Sequence, residues 1–270
     1  MHTLATPLLP PENKTHDRIP IVRIRHPAYS LTGPSLLDLP AVDGDCTSLD
    51  YELALTACSI ITGNTEGIWL AMRATRRQLL ALYNVWMACS GQAGSEGKEL
   101  EIVPSFDHWR FPHGKLPKIW RDLVISPHNY PPSTKGGGLA ALQRDQTCRI
   151  SGHSHGLDTA HLVPAVYSSW FASNDIMQYC SRRSVPKWIN NDKNLLCLRK
   201  NLHFLFDTRR LVFVPKLSRH PPPASPQIAL HVLLPSESDQ MLELYHNRQL
   251  QPLRDIAVEF LGIAAYHSRR

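Results

Sequence analysis

The spacing of apolar residues sets out a proline-broken start, two apolar stretches and a short tail. Residues 1–40 carry Pro7, Pro10, Pro11, Pro20, Pro27, Pro34 and Pro40. That density forbids long helices and predicts an extended, surface-hugging arm with one short strand at residues 21–24. Residues 51–61 are apolar enough to be buried as helix or strand, and Gly63 with Asn64 reads as the turn that follows. From 69 to 87 the leucines, Tyr83 and Trp86 fall at helical spacing and predict a helix. Residues 90–98 are rich in Gly and Ser and read as a flexible loop. Residues 102–120 then set Phe106, Trp109, Phe111 and Trp120 among Pro104, Pro112 and Pro117. This is the pattern of a docking segment whose rings fill a groove.

Residues 131–138 form the clearest linker, so a module is expected to begin at Leu139. Residues 157–163 read as a short strand and 167–179 as a helix rich in aromatics and small residues. Residues 194–206 have apolar positions at 195, 198, 202, 205 and 206, a helical interval. Short strands are expected at 211–216 and 228–234, with a stiff proline spacer at 220–226 between them. A last helix is expected within 252–265. The reading is an α+β chain in three parts: an N-terminal extension and packing region (1–138), a central module (139–216), and a C-terminal strand and helix packed on the core (217–270).

Composition narrows this only a little. Of 270 residues, 43% are apolar and 19% charged, ordinary for a globular protein. The formal charge of +6 gives mild support to a polyanionic partner. Six cysteines are scattered with no Cys-x-x-Cys, which argues against a four-thiolate zinc and for a reduced, intracellular protein, cytoplasmic or nuclear. No apolar run has the length of a membrane span, and no phosphate-cradling glycine motif or internal repeat is present.

The candidate chemistry lies at His161, Asn194 and His203, three polar residues in apolar surroundings. An imidazole with a pKa near neutrality can activate a water, and an amide can hold its tautomer. His203 and Asp207 stand at i and i+4, so one helix would put both on one face for a divalent ion. Asp158 would share a strand face with Ala160 and could add a ligand. Arg182, Arg183, Lys187 and Lys193 form the best candidate for phosphate contacts, with a solvated loop as the even alternative. Arg73, Arg76 and Arg77 read better as a solvated face. Among the 14 histidines, His153, His155, His220, His231, His246 and His267 read as structural or solvent-facing. His108 and His113, at i and i+5 among prolines, share no helical face.

His161, Asn194 and His203, with their flanking Ala160-His161-Leu162-Val163-Pro164 and Phe206-Asp207, resemble the His-Asn-His triad of HNH endonucleases, in the branch common in fungal proteins. The resemblance implies a ββα-metal module within a larger mixed domain. It implies that His161 activates water and that Asn194 orients that imidazole or completes the metal shell. His203 would hold Mg2+ or Mn2+ with Asp158 or Asp207 assisting, and DNA would be nicked with little sequence choice. The chain departs from the family at Ala160, where many HNH enzymes carry an acidic residue or histidine that binds the metal. That departure leaves two alternatives open: an acid/base or metal-assisted enzyme acting on a small molecule of a fungal specialised-metabolite pathway, and a silent binding module.

Overall fold

The computed structural model describes residues 19–25, 35–44, 46–62, 68–71, 78–80, 84–89, 103, 105–127, 136–181, 188–217, 226–234 and 240–267. The strand expected after the proline-rich start is β1 (Ile21–Arg25), and β2 (Leu37–Pro40) pairs antiparallel with it. β3 (Ser48–Asp50) leads straight into α1 (Tyr51–Ile61). Asp50 Oδ1 accepts the Leu53 N–H at 2.9 Å. By taking one of the unpaired donors of the first turn, this cap settles residues 51–61 as helix.

Residues 69–87, expected as a helix, are strands instead: β4 (Ile68–Ala71), β5 (Gln78–Leu80) and β6 (Asn84–Cys89). β6 lies parallel to β1 and antiparallel to β4, giving the sheet order β2-β1-β6-β4, while β5 pairs with β3. A short run of leucines and aromatics satisfies either period, and the open edges of β1 and β3 supply the ladder that decides for strand. Arg73, Arg76, Arg77 and the loop at 90–98 lie outside the described residues.

The aromatic segment docks as its composition predicts. Phe106, Trp109, Phe111 and Trp120 are all buried, Trp120 within α2 (Lys118–Arg121). Trp109 stacks on Trp170 at 5.6 Å between centroids and 7° between planes. Trp170 Nε1 donates to the Trp109 carbonyl at 2.8 Å, and the Phe111 N–H donates to Asn174 Oδ1 at 3.0 Å. His113 is used up structurally, bonded to the Asn174 carbonyl at 2.8 Å and the Tyr179 hydroxyl at 2.9 Å.

The central module opens earlier than its glycines suggest. α3 (Gly136–Asp145) begins inside the run read as linker. The glycine at 137 is there for close approach: a Cβ on it would lie 1.8 Å from the Asn190 carbonyl oxygen. β7 (Leu157–His161) follows as expected. The helix expected at 167–179 is broken into a 3-10 turn at 165–167, α4 (Ser168–Ser173) and a second 3-10 turn at 176–179. The break falls at Asp175, whose φ of 51° is left-handed, a conformation Asp tolerates better than most residues.

The single helix expected at 194–206 is also corrected, to strand β8 (Leu195–Arg199) followed without a gap by α5 (Lys200–Asp207). Leu195, Leu196, Cys197 and Leu198 are all buried, the signature of a strand covered on both faces. That continuous run mimicked the helical interval. β9 (Leu211–Leu217) and β10 (Pro226–Val232) form an antiparallel hairpin over seven paired positions. α6 (Gln240–Tyr245) packs on β10 and α7 (Val258–His267) on β9. One cluster of buried side chains runs from Val22 to Tyr266 and draws on β1, α1, the aromatic segment, β7, β8, α5, the β9–β10 hairpin and α7. Among the described residues no helix is long and apolar enough to cross a membrane.

Trp109 is the test of the docking. It is 1% exposed and touches Phe106, Phe111, Trp170 and Tyr266. Trp109→Ala should lower the free energy of unfolding by about 3–5 kcal/mol in urea titration. A loss under about 1 kcal/mol would show that the segment does not share the core.

Candidate active site

β7 and β8 pair antiparallel from Leu157 opposite Arg199 to His161 opposite Leu195, and α5 returns across them. Alternation along β7 sends Asp158 and Ala160 to one face and Thr159 and His161 to the other. Asp158 meets α5, whereas Thr159 lies beside Gly138 of α3. The strand therefore carries two chemistries back to back. Its far edge has no partner strand among the described residues.

His161 Nε2 lies 2.9 Å from Asn190 Oδ1. Asn194, expected to orient this imidazole or complete a metal shell, has its side chain bonded to backbone instead. Its Oδ1 accepts the Val163 N–H at 2.8 Å, and its Nδ2 donates to the carbonyls of Val163 at 3.0 Å and Ile189 at 2.8 Å. Asn194 is wholly buried and clamps backbone to backbone. Sequence reading missed Asn190 because its contact spans 29 positions. Nothing local distinguishes it from Asn191, whose amide instead binds the Ser181 main chain and hydroxyl.

On the other face the three predicted metal ligands do come together. Asp158 Oδ2 lies 3.2 Å from His203 Nδ1 and Asp207 Oδ2 lies 3.2 Å from His203 Nε2. The shared strand face of Asp158 and Ala160 and the i, i+4 pairing are both as expected. One imidazole cannot offer both nitrogens to one ion, however, so the two carboxylates cannot both bind it beside His203 as placed. The donor set suits a hard divalent cation with a water-rich shell: an ion at Nδ1 would share Asp158, leaving Asp207 to accept the Nε2 proton and hold the ring. Ala160, which offers no ligand atom, is fully buried on the face of β7 that packs on α5. Of the basic group, Arg182, Arg183 and Lys187 lie outside the described residues, and Lys193 Nζ stands 3.5 Å from Asp255.

A second polar cluster went unrecognised in the sequence. Asp43, His231 and His246 place one ligand atom each within 4.8 Å of one another, and all three side chains are nearly or fully buried. A cation already sits there. Lys216 Nζ donates to Asp43 Oδ1 at 2.9 Å, to His231 Nδ1 at 3.1 Å and to Asn247 Oδ1, three donors for three acceptors. His246 faces Asp43 with Nε2 at 3.0 Å, while its Nδ1 takes the Val232 N–H at 3.4 Å. A metal on that Nε2 would need a proton on Nδ1, directly against the amide. The cluster therefore reads as a lysine-centred tie between residue 43 and the β9–β10 hairpin, and His231 and His246 are structural, as expected of them. The available signal was a histidine and a lysine inside apolar strands.

Burial alone would raise the Asp43 carboxyl, but the hydrogen bond from His246 and the electrostatic attraction of its surroundings, with Lys216 as the formal cation, outweigh it and hold the group far below the usual range. A depressed folded-state value stabilises the fold above the unfolded value near pH ~3.9 and loses that stabilisation as pH falls toward the folded one. Urea unfolding followed downward from about pH 6 should lose stability more steeply below pH ~4 in the parent than in Asp43→Asn. Equal slopes would contradict the tie.

Burial pushes the Cys180 and Cys197 thiols up to about 12, so both act as core residues rather than thiolate ligands. Residues 148–214 match the family model described as HNH endonuclease. No curated protein and no solved structure matches the chain. The match to the HNH endonuclease family thus falls on the module spanning β7, β8 and α5, set within a larger α+β protein.

Proposed function

We propose that the protein is a metal-dependent endonuclease that hydrolyses phosphodiester bonds in DNA. The observation that carries this reading is the pairing, on the two faces of β7, of an amide-held imidazole at His161 with an imidazole flanked by carboxylates at His203. His161 and Asp158 stand three residues apart on β7, roughly 10 Å along the strand. In-line displacement at phosphorus needs the base and the stabiliser of the leaving oxygen on opposite sides of the reacting centre. A DNA backbone lying across the free edge of β7 would meet both.

In this reading His161 takes the proton of the attacking water. Asp158 and His203 would hold the divalent ion, Mg2+ or Mn2+, with Asp207 orienting the His203 ring. When bound, the ion supplies positive charge for the phosphorane and the leaving oxygen. Asn194 acts on the loop that carries Val163 rather than on the chemistry. Lys193, with Arg182, Arg183 and Lys187, would contact backbone phosphates, which calls for positive charge and no base code. Among the described residues no base-reading element is evident, so the cut should show little sequence choice.

Supercoiled plasmid incubated with magnesium or manganese should be nicked. His161→Ala should lower the rate by at least ~10²-fold. Asp158→Asn should abolish the metal-dependent rate, whereas Asp207→Asn should cost about 10–100-fold, the loss typical of an outer partner. Absence of nicking with either metal would contradict the reading, as would a His161→Ala variant that nicks as fast as the parent.

A further inference from the structure

We infer that Asn190 is the positioning residue that fixes the tautomer of His161, and that Gly137 of α3 seats it. This rests on the nuclease reading for its consequence in catalysis, but the hydrogen bond itself does not. An amide oxygen only accepts, so the ring nitrogen facing Asn190 Oδ1 at 2.9 Å carries the proton. The neutral ring then holds its lone pair on Nδ1. A general base needs this arrangement, with one nitrogen free to receive a proton and the other anchored so that the ring does not turn.

The anchor is fixed from both sides. The Asn191 N–H donates to the Trp188 carbonyl at 3.0 Å and the Asn194 N–H to the Asn191 carbonyl at 2.9 Å, winding residues 188–194 into tight turns. Asn191 is committed to Ser181, and Asn194 to Val163 and Ile189. Arg144 Nη1, from the far end of α3, donates to the Asp192 carbonyl at 2.8 Å. At the near end Gly137 lies so close that a Cβ would sit 1.8 Å from the Asn190 carbonyl oxygen and 3.2 Å from the Asp192 nitrogen. Three asparagines in seven residues thus have three separate tasks, and the one at 190 serves the imidazole.

The choice of amide also matters. Aspartate at 190 would keep the acceptor but add a charge that stabilises the protonated ring. Leucine would keep the approximate shape and remove the acceptor. Turned end for end, the asparagine would present its NH2 group and force the opposite tautomer on His161.

Nitrogen-15 NMR of histidine-labelled full-length protein reads the tautomer directly, with His161 assigned by its loss in His161→Gln. The parent should show the Nε2–H form. Asn190→Asp should keep that form and move the base limb of the nicking pH–rate profile to higher pH. Asn190→Leu should give mixed tautomers and lower kcat by about tenfold or more, while staying above His161→Ala. Gly137→Ala should resemble Asn190→Leu if it folds, and the two Asn190 variants carry the test if it does not. An Nδ1–H parent, or a tautomer unchanged in Asn190→Leu, would overturn the inference. A parent with the Nε2–H form that nicks nothing would overturn the nuclease reading and leave the hydrogen bond standing.

Discussion

The amide of Asn194 is the constraint on which the module depends. The chain leaves β7 at His161, wanders through an insert of short helical turns and must re-enter the same hairpin at Leu195. Nothing in the ladder alone fixes where that long excursion starts and ends. Asn194 does so by bonding both backbone groups of Val163 and the Ile189 carbonyl, and its own carbonyl accepts the Leu162 N–H at 2.8 Å. Bonds of this kind, fully buried, are worth most through the cost of breaking them. Each orphaned donor or acceptor would lose roughly 1–3 kcal/mol of desolvation.

Around that clamp the module is held by a buried ion pair. Arg144 and Asp145 meet at 2.7 Å with both side chains nearly fully buried. Their remaining atoms are spent on the module's own backbone: Arg144 Nη2 donates to the Leu195 carbonyl at 2.6 Å and Asp145 Oδ2 accepts the Cys197 N–H at 2.8 Å. A buried pair is weak evidence for stability by itself, since desolvation offsets much of the attraction. Here its value is geometric. It fixes α3 against β8, and α3 in turn presses Gly137 on the segment that carries Asn190. Packing, ion pair and the His161 imidazole are therefore one connected arrangement, and the N-terminal region joins it through the stacked rings of Trp109 and Trp170.

Residue types and spacing made the site partly legible from the chain. His203 with Asp207, and Asp158 with Ala160, follow from helical and strand periods that hold whatever the surroundings. The docking segment was legible because buried aromatics among prolines have few other uses. The misread elements share a cause. At 69–87 and 194–206 apolar density was high enough to satisfy two periods, and the deciding hydrogen bonds come from distant strands. The role of Asn194 was misassigned for the related reason that a buried amide serves whichever polar groups the fold brings to it. Asn190, and the tie of Asp43 to Lys216 across 173 positions, depend wholly on tertiary contact.

Native-state hydrogen exchange at the Val163 amide is the most direct measurement, because Asn194 Oδ1 is its acceptor. The account predicts that this amide exchanges in the parent only as slowly as the Cys197 amide of β8, through global unfolding. In Asn194→Ala it should exchange by local opening, at least ~10²-fold faster than Cys197. An unprotected Val163 in the parent, or protection unchanged in the variant, would contradict it.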